Sequence, residues 1–264
     1  MRPKLGLALG AGGMRGFAHI GVLSVLEENN LQVDMIAGTS IGGLMGAFIA
    51  AGYDAAMIIK LAKGLGRDPW LDFVMPKMGF ISTKNIHQIV ELLTKQQKME
   101  ELKIPLATVA TDLKTGREVV FKQGNLADAV CASLCVPGVF EPFVLGEMLL
   151  ADGALVNPTP VNIVKEMGAE VIIAVDLAAS DLVDNIDSIY SVIIRALDVM
   201  EKGLHRYQRC PAECDVLLRP NFLTKGVMGL ADFKKIDEGY EVGRQAALDA
   251  LPAILAALER YPLQ

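Results

Sequence analysis

The 264-residue sequence predicts an α/β fold with a mostly parallel central sheet and helices on both faces, in a single domain. Three observations predict it. A short apolar run at residues 4–9 passes through a glycine-rich stretch at 10–16 into a helix-patterned segment, Phe17–Glu28, and these are the parts of a doubly wound unit. Strand-like and helix-like stretches then alternate as far as Val171–Val175, a wholly apolar run that reads as a parallel strand buried on both faces. The composition, 52% hydrophobic and 21% charged with a mean hydropathy of +0.37, suits a chain that buries much of itself.

In order, residues 4–9 form the first strand and 10–16 a loop. Apolar residues at 17, 20, 23 and 26 recur at nearly helical spacing, and Asn29 and Asn30 end that helix. Residues 33–37 form the next strand, a turn at Ser40 leads into a helix from about Ile41 to Ala51, and residues 53–65 form another. From Ile36 to Tyr53 there are 18 residues without a charge, nominally a membrane span. Five glycines, Thr39 and Ser40 crowd that segment, so strand, turn and buried helix fit it better.

Residues 66–81 differ in kind. They concentrate large apolar side chains, among them Trp70, Phe73, Met75 and Phe80, in a stretch that Pro69 and Pro76 keep irregular. It reads as a loop folded over the core, and equally as an active-site flap or lipid-facing surface that would make those four residues substrate contacts. Ser82 or Thr83 caps a helix to about Leu93. Residues 104–111 and 118–121 pair as a hairpin across the Lys114-Thr115-Gly116-Arg117 turn. Leu126–Leu134 is a small-residue helix closed by Pro137-Gly138. A brief strand at 148–151 ends at Asp152-Gly153-Ala154, and a helix runs to Met167. Residues 188–204 form an amphipathic helix, Val216–Leu218 the last strand, and residues 232–259 a helix broken at Pro252.

Net charge −6 and pI about 5.2 argue against a broad nucleic-acid footprint. The N-terminus lacks the apolar region and cleavage site of a signal peptide, which leads to an expected cytoplasmic location. Of four cysteines, Cys131 and Cys135 lie one helical turn apart on an apolar helix and read as buried thiols. A zinc site joining them to Cys210 and Cys214 is disfavoured, because structural sites use tighter knuckles in a compact module.

Three features fall at predicted strand ends, where sites gather in such folds: the glycine loop, Ser40 and Asp152. Gly38-Thr39-Ser40-Ile41-Gly42 has the form of a nucleophile elbow, in which small neighbours let strand and helix approach while the serine hydroxyl stands clear at a helix N-terminus. Glycines at 10, 12 and 16 have the wrong spacing for a dinucleotide fingerprint, and no Gly-Lys-Ser/Thr exists for a P-loop. An oxyanion hole needs only two aimed N–H groups. The three histidines, His19, His87 and His205, sit within or at the end of predicted helices, so none stands where a base for Ser40 is wanted. Asp152, carried on a strand end with a flexible glycine after it, is the better candidate.

These residues resemble the patatin-like phospholipases, lipid acyl hydrolases that use a serine and aspartate dyad without histidine. Gly12-Gly13-Met14-Arg15-Gly16 looks like the family's oxyanion motif, Gly38 to Gly42 its elbow, and Asp152-Gly153-Ala154 its aspartate motif. Gly79-Phe80-Ile81-Ser82, Ala110 to Gly116, and Ala132-Ser133 with Pro137-Gly138 match as well. The resemblance spans about residues 4–178, and residues 179–264 match loosely. Ala11 departs from it, standing where many members carry a third glycine.

The resemblance implies that Ser40 is the nucleophile, Asp152 the general base, and the N–H groups of Gly12 and Gly13 the oxyanion donors. Arg15 either adds positive potential there or anchors the loop. The implied reaction cleaves fatty-acyl esters of phospholipids or lysophospholipids through an acyl-enzyme, with no metal, no cofactor and no nucleic-acid partner. Peripheral contact with a membrane fits the oily segment at 66–81. Competing readings are a lipid-binding or regulatory protein with a vestigial site, an acyltransferase using the same dyad, and a nucleotide-binding protein using the glycine loop.

Overall fold

β1 (Leu5–Leu9) lies at the middle of an eight-stranded sheet because each of its residues is buried on both faces. A computed structural model describes residues 2–66, 72–73, 78–178, 189–207, 213–222 and 236–261. β1 pairs in parallel with β2 (Met35–Thr39) on one edge and β9 (Val171–Val175) on the other. β5 (Leu106–Asp112) follows β2 and β10 (Val216–Leu218) follows β9, both in parallel. The remaining pairings are antiparallel: β6 (Arg117–Phe121) on β5, and a hairpin of β7 (Phe143–Leu145) and β8 (Met148–Asp152) that also joins β5. The sheet is therefore mixed and mostly parallel.

Strand periodicity sorts the two faces. Leu5, Leu7, Leu9, Ile36, Val171, Ile173 and Val175 point into the larger core, with α1 (Phe17–Glu28), α2 (Ile41–Ala51), α3 (Ala55–Leu65), α4 (Lys84–Leu93) and α5 (Leu126–Leu134). Ala8, Ala37, Ala107 and Ala174 point the other way, toward α6 (Val161–Glu166). Met35 and Ile172 flank Gly6 on that face, and Gly6 has no room for a side chain: a Cβ there would lie 2.3 Å from Val164. Each fully buried leucine on the first face contributes about 1.5–3 kcal/mol.

Two elements come from the last third of the chain. α7 (Ile189–Tyr207) lies against the 3-10 turn Gly153–Leu155, and α8 (Ile236–Glu259) packs along α1. The α1–α8 contact brings backbone to backbone, since a Cβ on Gly21 or Gly243 would come within about 2.0 Å of a carbonyl oxygen of the other helix. The break expected at Pro252 does not occur, and α8 is continuous through it. Pro252 is on the exposed side, where water satisfies the carbonyl that the missing N–H leaves unpaired, while Ala247, Ile254 and Ala257 are buried before and after it.

The stretch at 66–81 is only partly described. β3 (Asp72–Phe73) and β4 (Ile81–Ser82) form a small antiparallel pair there, where the sequence predicts no strand. Ser82 rather than Thr83 makes the side-chain bond at the start of α4, its hydroxyl accepting from Lys84 N–H at 3.1 Å. α2 spans 11 residues, and among the described residues no helix is long and apolar enough to cross a membrane.

Candidate active site

Ser40 sits between β2 and α2 with φ 55° and ψ −124°, a conformation that side-chain-bearing residues rarely adopt. Such a conformation costs on the order of 1–3 kcal/mol and persists because its surroundings hold it. A Cβ on Gly38 would lie 2.4 Å from the Gly42 carbonyl oxygen, and one on Gly42 2.1 Å from that of Leu9. Those two glycines let the strand and helix close around the serine. Ser40 N–H donates to Ser133 Oγ at 2.8 Å, and the Ser133 hydroxyl donates to Val109 O at 2.6 Å. The strained turn is thus pinned to β5.

The sheet register brings Asp152 to this turn. Thr39 pairs with Val109 of β5, and Asp152 pairs with Ala110, the next residue. β6 occupies the opposite edge of β5 over Thr108 to Asp112, so β2 and β8 share one edge and meet with their C-terminal ends facing. Asp152 therefore does not join Ser40 at a common upper rim of parallel strands, as strand-end reasoning expects. It descends to Ser40 on an antiparallel strand. Gly153 fills the junction, and a Cβ there would lie 2.3 Å from Val109 O, so its role is close approach rather than flexibility.

Ser40 Oγ donates to Asp152 Oδ2 at 2.5 Å, and Ala154 N–H donates to Oδ1 at 2.8 Å. The Asp152 backbone is held as well, by its N–H to Cys135 O at 2.9 Å and by Thr111 Oγ1 donating to its carbonyl at 2.9 Å. Burial pushes the Asp152 carboxyl up to about 7; the hydrogen bonds from Ser40 and Ala154 oppose the shift, and Glu201 of α7 adds to it. A carboxylate with that affinity for protons is a far better base than one in water.

The glycine loop leaves β1 beside the elbow, because Leu9 is in register with Gly38. Its second half is a 3-10 turn, Gly13–Gly16, that runs straight into α1. Gly10 N–H is bound to Val175 O and Ala11 N–H to Pro158 O, both at 2.9 Å. Among the described residues no hydrogen bond engages the N–H of Gly12 or Gly13. Gly13 has φ 57°, which glycine adopts without cost, and Gly12 rests on Leu177, where a Cβ would lie 2.7 Å from that side chain. Arg15 Nε–H donates to Gly12 O at 3.0 Å, so this arginine anchors the loop.

His19 and His87 have other partners. His19 Nε2 bonds the Gly10 carbonyl at 2.8 Å, which makes it a donor there, and burial lowers its affinity for a proton to about 4. His87 pairs with Asp128 at 2.8 Å, and the His205 side chain lies outside the described residues. Trp70 and Met75 also lie outside them, and of Phe73 only the backbone is described. Phe80 is exposed, with its N–H bound to Val139 O at 2.9 Å. Cys131 and Cys135 are buried free thiols, while Cys210 is outside the described residues.

A family model for patatin-like phospholipases matches residues 7–165. The chain belongs to the patatin-like phospholipase family. An uncharacterised NTE family protein of Mycobacterium tuberculosis (H37Rv) is 37% identical over 182 residues, covering 68% of this chain and 50% of its own. A second from that organism is 30% identical over 279 aligned positions, covering 95% and 47%. Patatin-like phospholipase domain-containing protein 6 of Mus musculus is 32% identical over 188 residues, covering 68% and 14%. The chain thus spans half or less of the length of these relatives. Among solved structures, ExoU in its complex with SpcU from the type III secretion system of Pseudomonas aeruginosa has a TM-score of 0.52 at 14% identity, covering 98% of this chain and 52% of its own, a likeness of fold.

In this patatin-like chain three supports had no role assigned from sequence. Ser133 stood in a matching motif, but only the fold shows that it holds the Ser40 N–H. His19 reads as a core helix residue, and Leu177 lies just beyond the strand at Val171–Val175 with no reading of its own. Asp176 fixes Leu177 beneath Gly12 by accepting from Ala178 N–H at 2.9 Å and from Arg219 Nε–H at 3.0 Å. An Asp closing an otherwise apolar strand run was the one available signal for that turn.

Proposed function

We propose that this protein hydrolyses fatty-acyl esters of phospholipids or lysophospholipids through a Ser40 acyl-enzyme. The observation that carries the reading is the 2.5 Å hydrogen bond from Ser40 Oγ, on a strained elbow, to a buried carboxylate that holds its proton up to about 7. Asp152 accepts the Ser40 proton as Oγ attacks the ester carbonyl. The N–H groups of Gly12 and Gly13 and the N-terminus of α2 receive the oxyanion. As the tetrahedral species collapses, the alcohol leaves with the proton from Asp152. Water then gives its proton to Asp152 and attacks the acyl-enzyme, and the fatty acid departs as Ser40 regains its hydrogen.

Family membership supports a lipid ester as substrate, and the names of the relatives are consistent with it. The test is labelling with a fluorophosphonate and peptide mapping, followed by a panel of acyl esters. Adduct on Ser40, absent in Ser40→Ala, with turnover of acyl esters, is the expected result. An unlabelled Ser40 in folded protein would overturn it.

A further inference from the structure

An apolar pocket opens between the helices beside the elbow, and the dyad chemistry leaves it without a role. Its cavity volume is about 50 Å³, and it is open to solvent on one side. α2 supplies Ile41, Leu44, Met45 and Phe48, one face of the helix over two turns. At 1.5 Å per residue that stripe is about 10 Å long. It starts at the residue after Ser40, and its side chains lean toward the helix N-terminus, hence toward the nucleophile. α3 faces it with Ile58, Leu61, Ala62 and Leu65, at the same spacing.

The near end is made by Met14 and Phe17, immediately beyond the proposed oxyanion donors Gly12 and Gly13 in the chain. Phe48 and Leu93 line the far end. Phe48 meets Tyr53 edge-on with ring centroids 6.1 Å apart, and the Tyr53 hydroxyl donates to Leu93 O at 2.6 Å. Protein interiors are close-packed, and a space walled wholly by hydrocarbon and thioether offers water no partner, whereas it suits an apolar ligand.

We infer that this pocket receives the acyl chain of the substrate, and that Phe48, braced by Tyr53, sets how much of the chain is held. The inference rests on the Ser40 hydrolase reading and adds the place where the chain lies. Each methylene transferred from water into it is worth about fourfold in kcat/KM. Ala62→Phe, which puts a ring into the pocket, is expected to lower the octanoate-to-acetate ratio of kcat/KM for p-nitrophenyl esters at least tenfold. Phe48→Leu opens the far end and is expected to raise the palmitate-to-octanoate ratio severalfold.

Both variants are checked for the parent's circular dichroism, and if Ala62→Phe does not fold, Phe48→Leu decides. Unchanged ratios in folded variants would overturn the inference. Binding of 11-(dansylamino)undecanoic acid to Ser40→Ala protein separates the two readings. If wild type turns over no ester, the hydrolase reading fails, and the pocket stands only if Ala62→Phe in the Ser40→Ala background weakens probe binding at least tenfold. If esters are turned over and probe binding is unaffected, the pocket fails alone.

Discussion

Ser40 and Asp152 follow and end two strands that meet head-on along one edge of β5, in register with Val109 and Ala110. The contact between them is therefore a property of the sheet rather than of either loop. A shift of one residue in β8 would turn Asp152 to the opposite face. Rigid elements on both sides hold the hydroxyl and carboxylate together, which is what an acyl transfer needs from its nucleophile and base.

Activity should follow the ionisation of Asp152. In the proposed reaction the carboxylate is the working form, so kcat/KM is expected to fall as pH drops below about 7 and to level off above it. Ser40→Ala and Asp152→Asn should each lower kcat/KM by at least about a thousandfold. A profile of rate against pH for a soluble ester checks the first expectation, and purified folded variants check the second. A profile whose lower limb lay near pH 4 would mean that Asp152 titrates as an ordinary carboxylate, without the shift that burial imposes.

Catalytic poise should oppose stability at the same residue. With its proton affinity raised from 3.8 to about 7, folded Asp152 binds a proton that the unfolded chain has released. Stability is therefore lost as pH rises from about 4 to about 7, on the order of a few kcal/mol. Asp152→Asn is expected to raise Tm by about 5 °C or more at pH 8 and to leave it nearly unchanged at pH 4. Thermal melts of both proteins at the two pH values decide this.

Strain at the elbow has a separate signature. Glycine accepts φ 55° without the Cβ penalty, whereas alanine retains it. Ser40→Gly should be more stable than Ser40→Ala by about 1 kcal/mol, read from urea midpoints. Equal midpoints would mean that the turn stores no strain.

Ser133 holds the turn at Ser40 through the backbone. Ser133→Ala leaves the buried Ser40 N–H without its acceptor, at a cost of about 1–3 kcal/mol. The expected result is a lower Tm together with a fall in kcat larger than any change in KM. Ser133→Thr, which keeps the hydroxyl, should recover part of kcat if it folds.

His19 should make the fold acid-sensitive. Burial holds its proton affinity down at about 4 against an ordinary 6.5, so the unfolded chain takes up a proton that the folded one refuses. Its contribution is fully present above about pH 6.5 and declines toward pH 4. Asp152 acts in the opposite sense over part of that range, so the His19 effect is best read in the Asp152→Asn background. There, His19→Gln should flatten the loss of stability between pH 6.5 and 4.5.

Local physics determined much of this protein from sequence alone. The bounds of α1, α2, α5, β9 and β10 are those that apolar spacing and flanking turn residues predict, because helix and strand periods repeat within a few residues. Small residues around Ser40 likewise declare a turn with no room for a Cβ, and three motifs in order point to the residues of the candidate site. What the chain could not declare was how distant segments meet. The antiparallel run of β8, its end-to-end meeting with β2, the bond from Ser40 to Ser133, and the reason Gly153 is glycine all depend on register between segments some 40 to 110 residues apart. Likewise the continuity of α8 through Pro252 depends on which side of the packed helix faces water. Register is decided by which faces the whole sheet must bury, so only the assembled core brings a strained serine against a carboxylate stripped of water.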